Sequence, residues 1–192
     1  MVDTESRYKQ YYDQTQDHPP CELLVEAMAY VANKKVAYDL GCGAGRDTRY
    51  LAQHFEEVYA VDVELEAMRR IESLGLVNVS REHTRLANAS FKRPDLVNAQ
   101  KVMMYVLSTD RDYAFMRIKH NLVSGGVFVG QFRGMKDWMV GDPRLFPQTE
   151  AGVLKLLKGM NILKMEEVFK DAETLDHGKN VFHFYNLIAQ KP

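Results

Sequence analysis

The sequence has no apolar run approaching the roughly 20 residues that a membrane-spanning helix needs. Its opening stretch, Met1 to Gln16, is polar and charged. Neither a spanning helix nor a signal peptide is expected. Cysteine is scarce: Cys21 and Cys42 are the only two. No metal site is expected, and both are read as free thiols in a reducing compartment. Charge of one sign is not in excess either. The net charge is −1, with acidic and basic residues mixed. That excludes the basic stripe of a nucleic-acid binder and a polybasic membrane patch. Internal repeats and low-complexity tracts are absent, and Trp138 is the single tryptophan. What is left is a chain of 192 residues with ordinary apolar content. It fits one soluble, cytoplasmic domain that can bury a core. Within it, 1–34 is expected to form a helical arm and 35–192 a sheet core.

Apolar spacing predicts the order of elements. A helix runs over Thr4 to Thr15, with Tyr8, Tyr11 and Tyr12 on one face. His18-Pro19-Pro20 breaks it, and a second helix covers Cys21 to Ala32. Strands follow at Lys35–Leu40, Val58–Val61, Val77–His83, Leu96–Gln100, Val127–Phe132, Ile162–Phe169 and Val181–Ala189. Helices lie between them at Arg46–His54, Glu64–Leu74, Ser108–Asn121 and Thr149–Lys158. Alternation of strands and helices implies a parallel sheet covered on both faces. The loop between the last two strands, Asp171 to Lys179, is too short for a crossover, so those strands are antiparallel.

The most informative stretch is Asp39-Leu40-Gly41-Cys42-Gly43-Ala44-Gly45-Arg46-Asp47. A buried strand ends in an acid, three glycines alternate, and a helix begins. Such a turn brings backbone N–H groups and a helix N-terminus close to a ligand. A dinucleotide fingerprint has glycine at its first, third and sixth positions. Here the sixth is Arg46, whose side chain obstructs the close helix–strand contact, so the turn suits a nucleoside ligand but NAD(P) poorly. Asp62, ending the second strand, can accept hydrogen bonds from both ribose hydroxyls.

Asp39 to Gly45 resembles motif I of the class I S-adenosylmethionine-dependent methyltransferases. With Arg46-Asp47-Thr48 and Asp62, the chain is similar to their small tellurite-resistance-like branch. The resemblance implies a seven-stranded Rossmann-like sheet, mostly parallel, with an antiparallel last strand inserted beside the fifth and helices on both faces. It implies S-adenosyl-L-methionine as cofactor. The cofactor contacts it suggests are Asp39, Gly41, Cys42, Gly43, Gly45, Arg46, Asp62, Val63, Thr84 and Gln100, with Tyr11 from the arm. In the family the acid matching Asp39 meets the methionine ammonium; the competing reading is an aspartate capping its own turn. Arg46 either pairs with the cofactor carboxylate or is solvated. Many family members carry an acid for the adenine amino group after the third strand. The stretch Glu82-His83-Thr84-Arg85 has no unambiguous one, leaving Thr84 or a backbone group.

The Asn/Asp-Pro-Pro-Tyr motif of adenine-N6 and related amino methyltransferases is absent; Asn98-Ala99-Gln100-Lys101 stands in its place. A small-molecule acceptor is therefore expected, with no nucleic acid, no membrane, and a monomer or homodimer. Displacement at a sulfonium can be mostly positioning, and no catalytic residue is singled out. His183 and the His177 loop are brought toward the cofactor side, though a lone strand histidine is more often structural. Arg133 to Gln148, with Met135, Trp138, Met139 and Phe146, is a candidate lid over the acceptor pocket; alternatively Trp138 anchors the loop on the core. The rival functions are a non-catalytic S-adenosylmethionine-binding sensor or partner module, and an NAD(P)-binding protein.

Overall fold

The computed structural model describes residues 4–139, 141, 147–174 and 178–192. Its centre is one seven-stranded sheet in the order β3-β2-β1-β4-β5-β7-β6. The strands are β1 (Val36–Leu40), β2 (Glu57–Asp62), β3 (Val79–His83), β4 (Leu96–Ala99), β5 (Val127–Arg133), β6 (Asn161–Thr174) and β7 (Gly178–Gln190). The first five are parallel, and β7 inserts antiparallel between β5 and β6. This is the expected topology. The expected loop at Asp171–Lys179 is shorter: β6 and β7 continue to Thr174 and from Gly178, because extended pairing satisfies backbone groups that a loop would leave to water. The His177 position lies outside the described residues.

Helices α1 (Thr4–Thr15), α2 (Glu22–Ala27), α3 (Arg46–Ala52), α4 (Leu65–Ser73), α5 (Ser108–Asn121) and α6 (Glu150–Leu156) cover the sheet. None among the described residues is long and apolar enough to cross a membrane. Thr149 caps α6 by accepting from Gly152 N. Leu107 takes the N-cap position of α5 without a side-chain bond.

Strand alternation sorts the core into two layers. On one face Tyr38, Val97, Phe128, Phe132 and Leu187 meet Phe115 and Ile118 of α5 and Val153 of α6. On the other, Ala37, Val58, Leu96, Val129 and Ile188 meet Leu23, Leu24 and Ala27 of α2 and Leu51 of α3. A third group joins Tyr12 of α1 to Ala44, Ala60 and Ala67, Met68 and Ile71 of α4. β6 is the sheet edge, and its Lys164, Glu166, Glu167 and Lys170 discourage further strand pairing.

Candidate functional site

The carboxyl ends of the parallel strands carry the candidate site, as in other open α/β sheets. The turn after β1 takes the left-handed conformation at all three glycines, with φ of 69° at Gly41, 50° at Gly43 and 85° at Gly45. Gly41 N and Cys42 N donate to Val61 O at 2.8 and 3.2 Å, tying the turn to β2. Side chains here have no room: a Cβ on Gly41 would come within 2.5 Å of Val102, and one on Gly43 within 3.1 Å of the Tyr12 ring. Cys42 turns its side chain into the layer with Tyr12 and Met68, so only its backbone faces the turn.

Asp62 Oδ2 accepts from Gly43 N at 2.9 Å and Oδ1 from Glu64 N at 3.0 Å. A carboxylate has about four acceptor sites, so acceptor capacity remains for a ligand. Burial raises its pKa, opposed by those backbone donors. Asp39 accepts from Thr48 Oγ1 at 2.5 Å and from Asn98 Nδ2 at 2.8 Å. Burial, then the Asp47 carboxylate beside it, push Asp39 up to about 7. Its bonds run across two elements, so it does more than cap its own turn.

Arg46 is half-buried and paired within the chain. Its Nε and Nη2 donate to Asp47 at 3.0 Å each, and Nη2 lies 2.6 Å from Cys21 Sγ. Asp47 also accepts from Cys21 N at 2.9 Å, which locks the start of α2 to α3. Burial and Asp47 push the Cys21 thiol up to about 11. Cys21 and Cys42 are both free thiols.

The arm splits its tyrosines. Tyr12 is buried against the glycine turn, whereas Tyr11 is 48% exposed; the side chain of Tyr8 lies outside the described residues. Arg49 donating to Gln16 O, and Arg70 to Asp13 and Gln16, hold the arm down. Beyond β2, Val63 is 48% exposed, its carbonyl accepting from His83 Nε2 at 2.8 Å. Glu82 is engaged by Ser90 N and Oγ at 3.0 and 2.5 Å, and Thr84 N donates to Asp62 O at 3.0 Å.

On the α2–α3 face a polar row continues along the edge. Asn98 faces Asp39, and Gln131 Nε2 donates to Asn186 Oδ1 at 2.9 Å. Asn186 in turn donates to Glu166 at 3.2 Å. Gln100, one residue beyond β4, is buried, and among the described residues neither of its amide atoms has a hydrogen-bond partner, nor has Asn98 Oδ1. The sequence reading missed Asn98, Gln131 and Asn186. Their signal was a polar residue at the same parity in otherwise apolar buried strands.

His183 is structural. Its Nδ1 accepts from Lys136 N at 2.8 Å, so Nε2 carries the proton and donates to Glu167 Oε1 at 2.9 Å. A Cβ on Gly134 would overlap its ring at 2.3 Å. The proposed lid divides. Arg133 belongs to β5, and residues up to Met139 are pinned: Gly134 N donates to His183 O at 2.7 Å and Trp138 N to Val181 O at 3.0 Å. Trp138 meets Phe182 edge-on at 6.1 Å, which is the anchoring alternative. Phe146 lies outside the described residues.

Residues 38–128 match the model of a methyltransferase domain. Among curated proteins none matches the chain. Solved structures share the fold. TehB from Haemophilus influenzae is 19% identical with a TM-score of 0.76, over 96% of this chain and 67% of that one. The N-methyltransferase NodS from Bradyrhizobium japonicum WM9, in complex with S-adenosyl-L-homocysteine, is 18% identical with a TM-score of 0.69, over 100% and 89%. The magnesium protoporphyrin IX methyltransferase ChlM from Synechocystis PCC 6803, with bound S-adenosylmethionine, is 17% identical with a TM-score of 0.60, over 100% and 86%. Residues 38–128 thus resemble a methyltransferase domain, and the chain has the fold of these methyltransferase structures.

Proposed function

We propose that this methyltransferase uses S-adenosyl-L-methionine to methylate a small-molecule acceptor. The observation that carries the reading is the pairing of a side-chain-free glycine turn with Asp62, whose carboxylate is fixed by Gly43 N and retains acceptor capacity. When bound, the cofactor supplies an electrophilic methyl on a sulfonium.

The chain's own residues bind and orient. Gly41, Gly43 and Gly45 give close backbone approach, with Cys42 contributing main chain. Asp62 accepts from ribose hydroxyls and Val63 offers an exposed apolar side chain to the adenine. Thr84 and the backbone around it serve the adenine edge. Asp39 faces the methionine ammonium, and Gln100 fits the same region because its buried amide otherwise goes unsatisfied. Arg46 acts indirectly, by holding Asp47 and the α2 start, and Tyr11 borders the mouth from the arm. Among the described residues no side chain is singled out as a general base; a thiolate acceptor needs none, and positioning supplies much of the rate.

The test is calorimetry with S-adenosylhomocysteine on the wild type and Asp62→Ala. Loss of a charged acceptor, worth about 1.5–3 kcal/mol, weakens binding at least about tenfold. Unchanged affinity in a folded variant rejects the ribose assignment. Methyl transfer to a panel of thiols, amines and carboxylic acids separates an enzyme from a sensor.

A further inference from the structure

We infer that the acceptor carries a carboxylate, held by Arg133 with Lys101 and admitted past the ring of Tyr105. This rests on the methyl-transfer reading of the site and names the acceptor class which that reading leaves open.

Arg133 ends β5 on the α2–α3 face and is 2% exposed. Its Nε donates to Met104 O at 3.1 Å, and its Nη1 is ion-paired with Asp137. Nη2 is buried and, among the described residues, has no hydrogen-bond partner. Buried arginine donors are rarely left so. Asp137 does not complete the set, because its oxygens also accept from Met139 N and His183 N at 3.0 Å each. It clamps the guanidinium in one orientation and leaves one edge open.

A movable side chain packs against the guanidinium. The Tyr105 ring lies over the guanidinium, 5.1 Å from ring centroid to Cζ. Tyr105 is 51% exposed and sits in the turn after β4. A rotamer change of a half-exposed ring is fast, and on the proposal it is what gives a ligand access to Nη2.

Lys101 is the second, independent observation. It takes φ of 56°, a left-handed conformation that a non-glycine residue rarely adopts. Such backbone clusters at functional sites. Its N–H is held by Gln131 Oε1 at 3.1 Å. Its ammonium makes no ion pair among the described residues. Arg46 stays paired with Asp47 and does not compete for an acid. A planar guanidinium edge plus a nearby ammonium matches a carboxylate.

The experiment saturates the protein with S-adenosylhomocysteine and titrates matched pairs: benzoate and benzamide, then 3-mercaptopropionate and its amide. The unfolding midpoint reports binding. Each acid raises it and binds at least about tenfold tighter than its amide. Lys101→Gln and Arg133→Lys each weaken the acid about tenfold while S-adenosylhomocysteine affinity stays within about twofold. If Arg133→Lys does not fold, Lys101→Gln decides alone. Equal shifts for acid and amide, no shift from any pair, or an acid preference surviving the variants overturns the proposal. Failure of the unaltered protein to bind S-adenosylhomocysteine appears before any acid is added and removes the cofactor reading instead.

Discussion

Between β1 and β2 the carboxyl edge is ordered by its own hydrogen bonds. Both oxygens of Asp62 and both of Asp39 are engaged by named donors, and the glycine turn is tied to Val61 O. Between β4 and β5, two places along the sheet, the same edge carries buried polar atoms on Gln100 and Arg133 that have no hydrogen-bond partner among the described residues. The first region is built before any ligand arrives, so it suits a cofactor that never varies. The second has buried donors and acceptors without partners among the described residues, which is where the proposed acceptor site lies.

The sharpest way to break this comparison is to fill the preformed half. Gly43→Val puts a β-branched side chain at a left-handed position facing Tyr12. Calorimetry should show S-adenosylhomocysteine affinity falling at least about a hundredfold, with far-UV circular dichroism retaining the fold. Normal binding would place the cofactor elsewhere.

A smaller effect follows from Asp39, raised to about 7 by burial and by Asp47. Its folded value lies above the unfolded value near 4. Between those limits the unfolded chain releases the proton and the folded chain keeps it. This group therefore lowers stability as pH rises from about 4 to about 7, and has no further effect outside that window. Asp39→Asn removes that part of the slope in pH-dependent denaturation. Binding runs the other way, since a cofactor ammonium needs the carboxylate. Affinity for S-adenosylhomocysteine should rise up to about tenfold from pH 6 to pH 8 in the wild type, and stay flat in the variant.

The smallest effect concerns the acceptor half's outer rim. Trp138 is pinned to Val181 and Phe182, so its emission should change little when S-adenosylhomocysteine binds. A large shift would return the segment from Arg133 to Met139 to the role of a moving lid.

The cofactor half was legible because its chemistry is local. Asp39, the three glycines and Asp62 each sit at a strand end, and a turn that needs left-handed backbone advertises itself through glycine. Even there the contact of Arg46 with Cys21 was not legible, since Cys21 lies 25 positions away and meets it only in the fold. Tyr11 and Tyr12 are neighbours in sequence, and no periodicity told which would be buried under the glycine turn.

The sequence by itself determined the alternation of strands and helices, the antiparallel ending and the nucleoside-type turn, because periodicity and backbone conformation are properties of short stretches. The tertiary structure alone decided which polar residues share the edge. Gln100, Lys101, Tyr105 and Arg133 come from two strand ends and one loop. Parallel pairing of β4 with β5 brings them together, and whether a buried amide or guanidinium finds a partner depends on every chain segment around it.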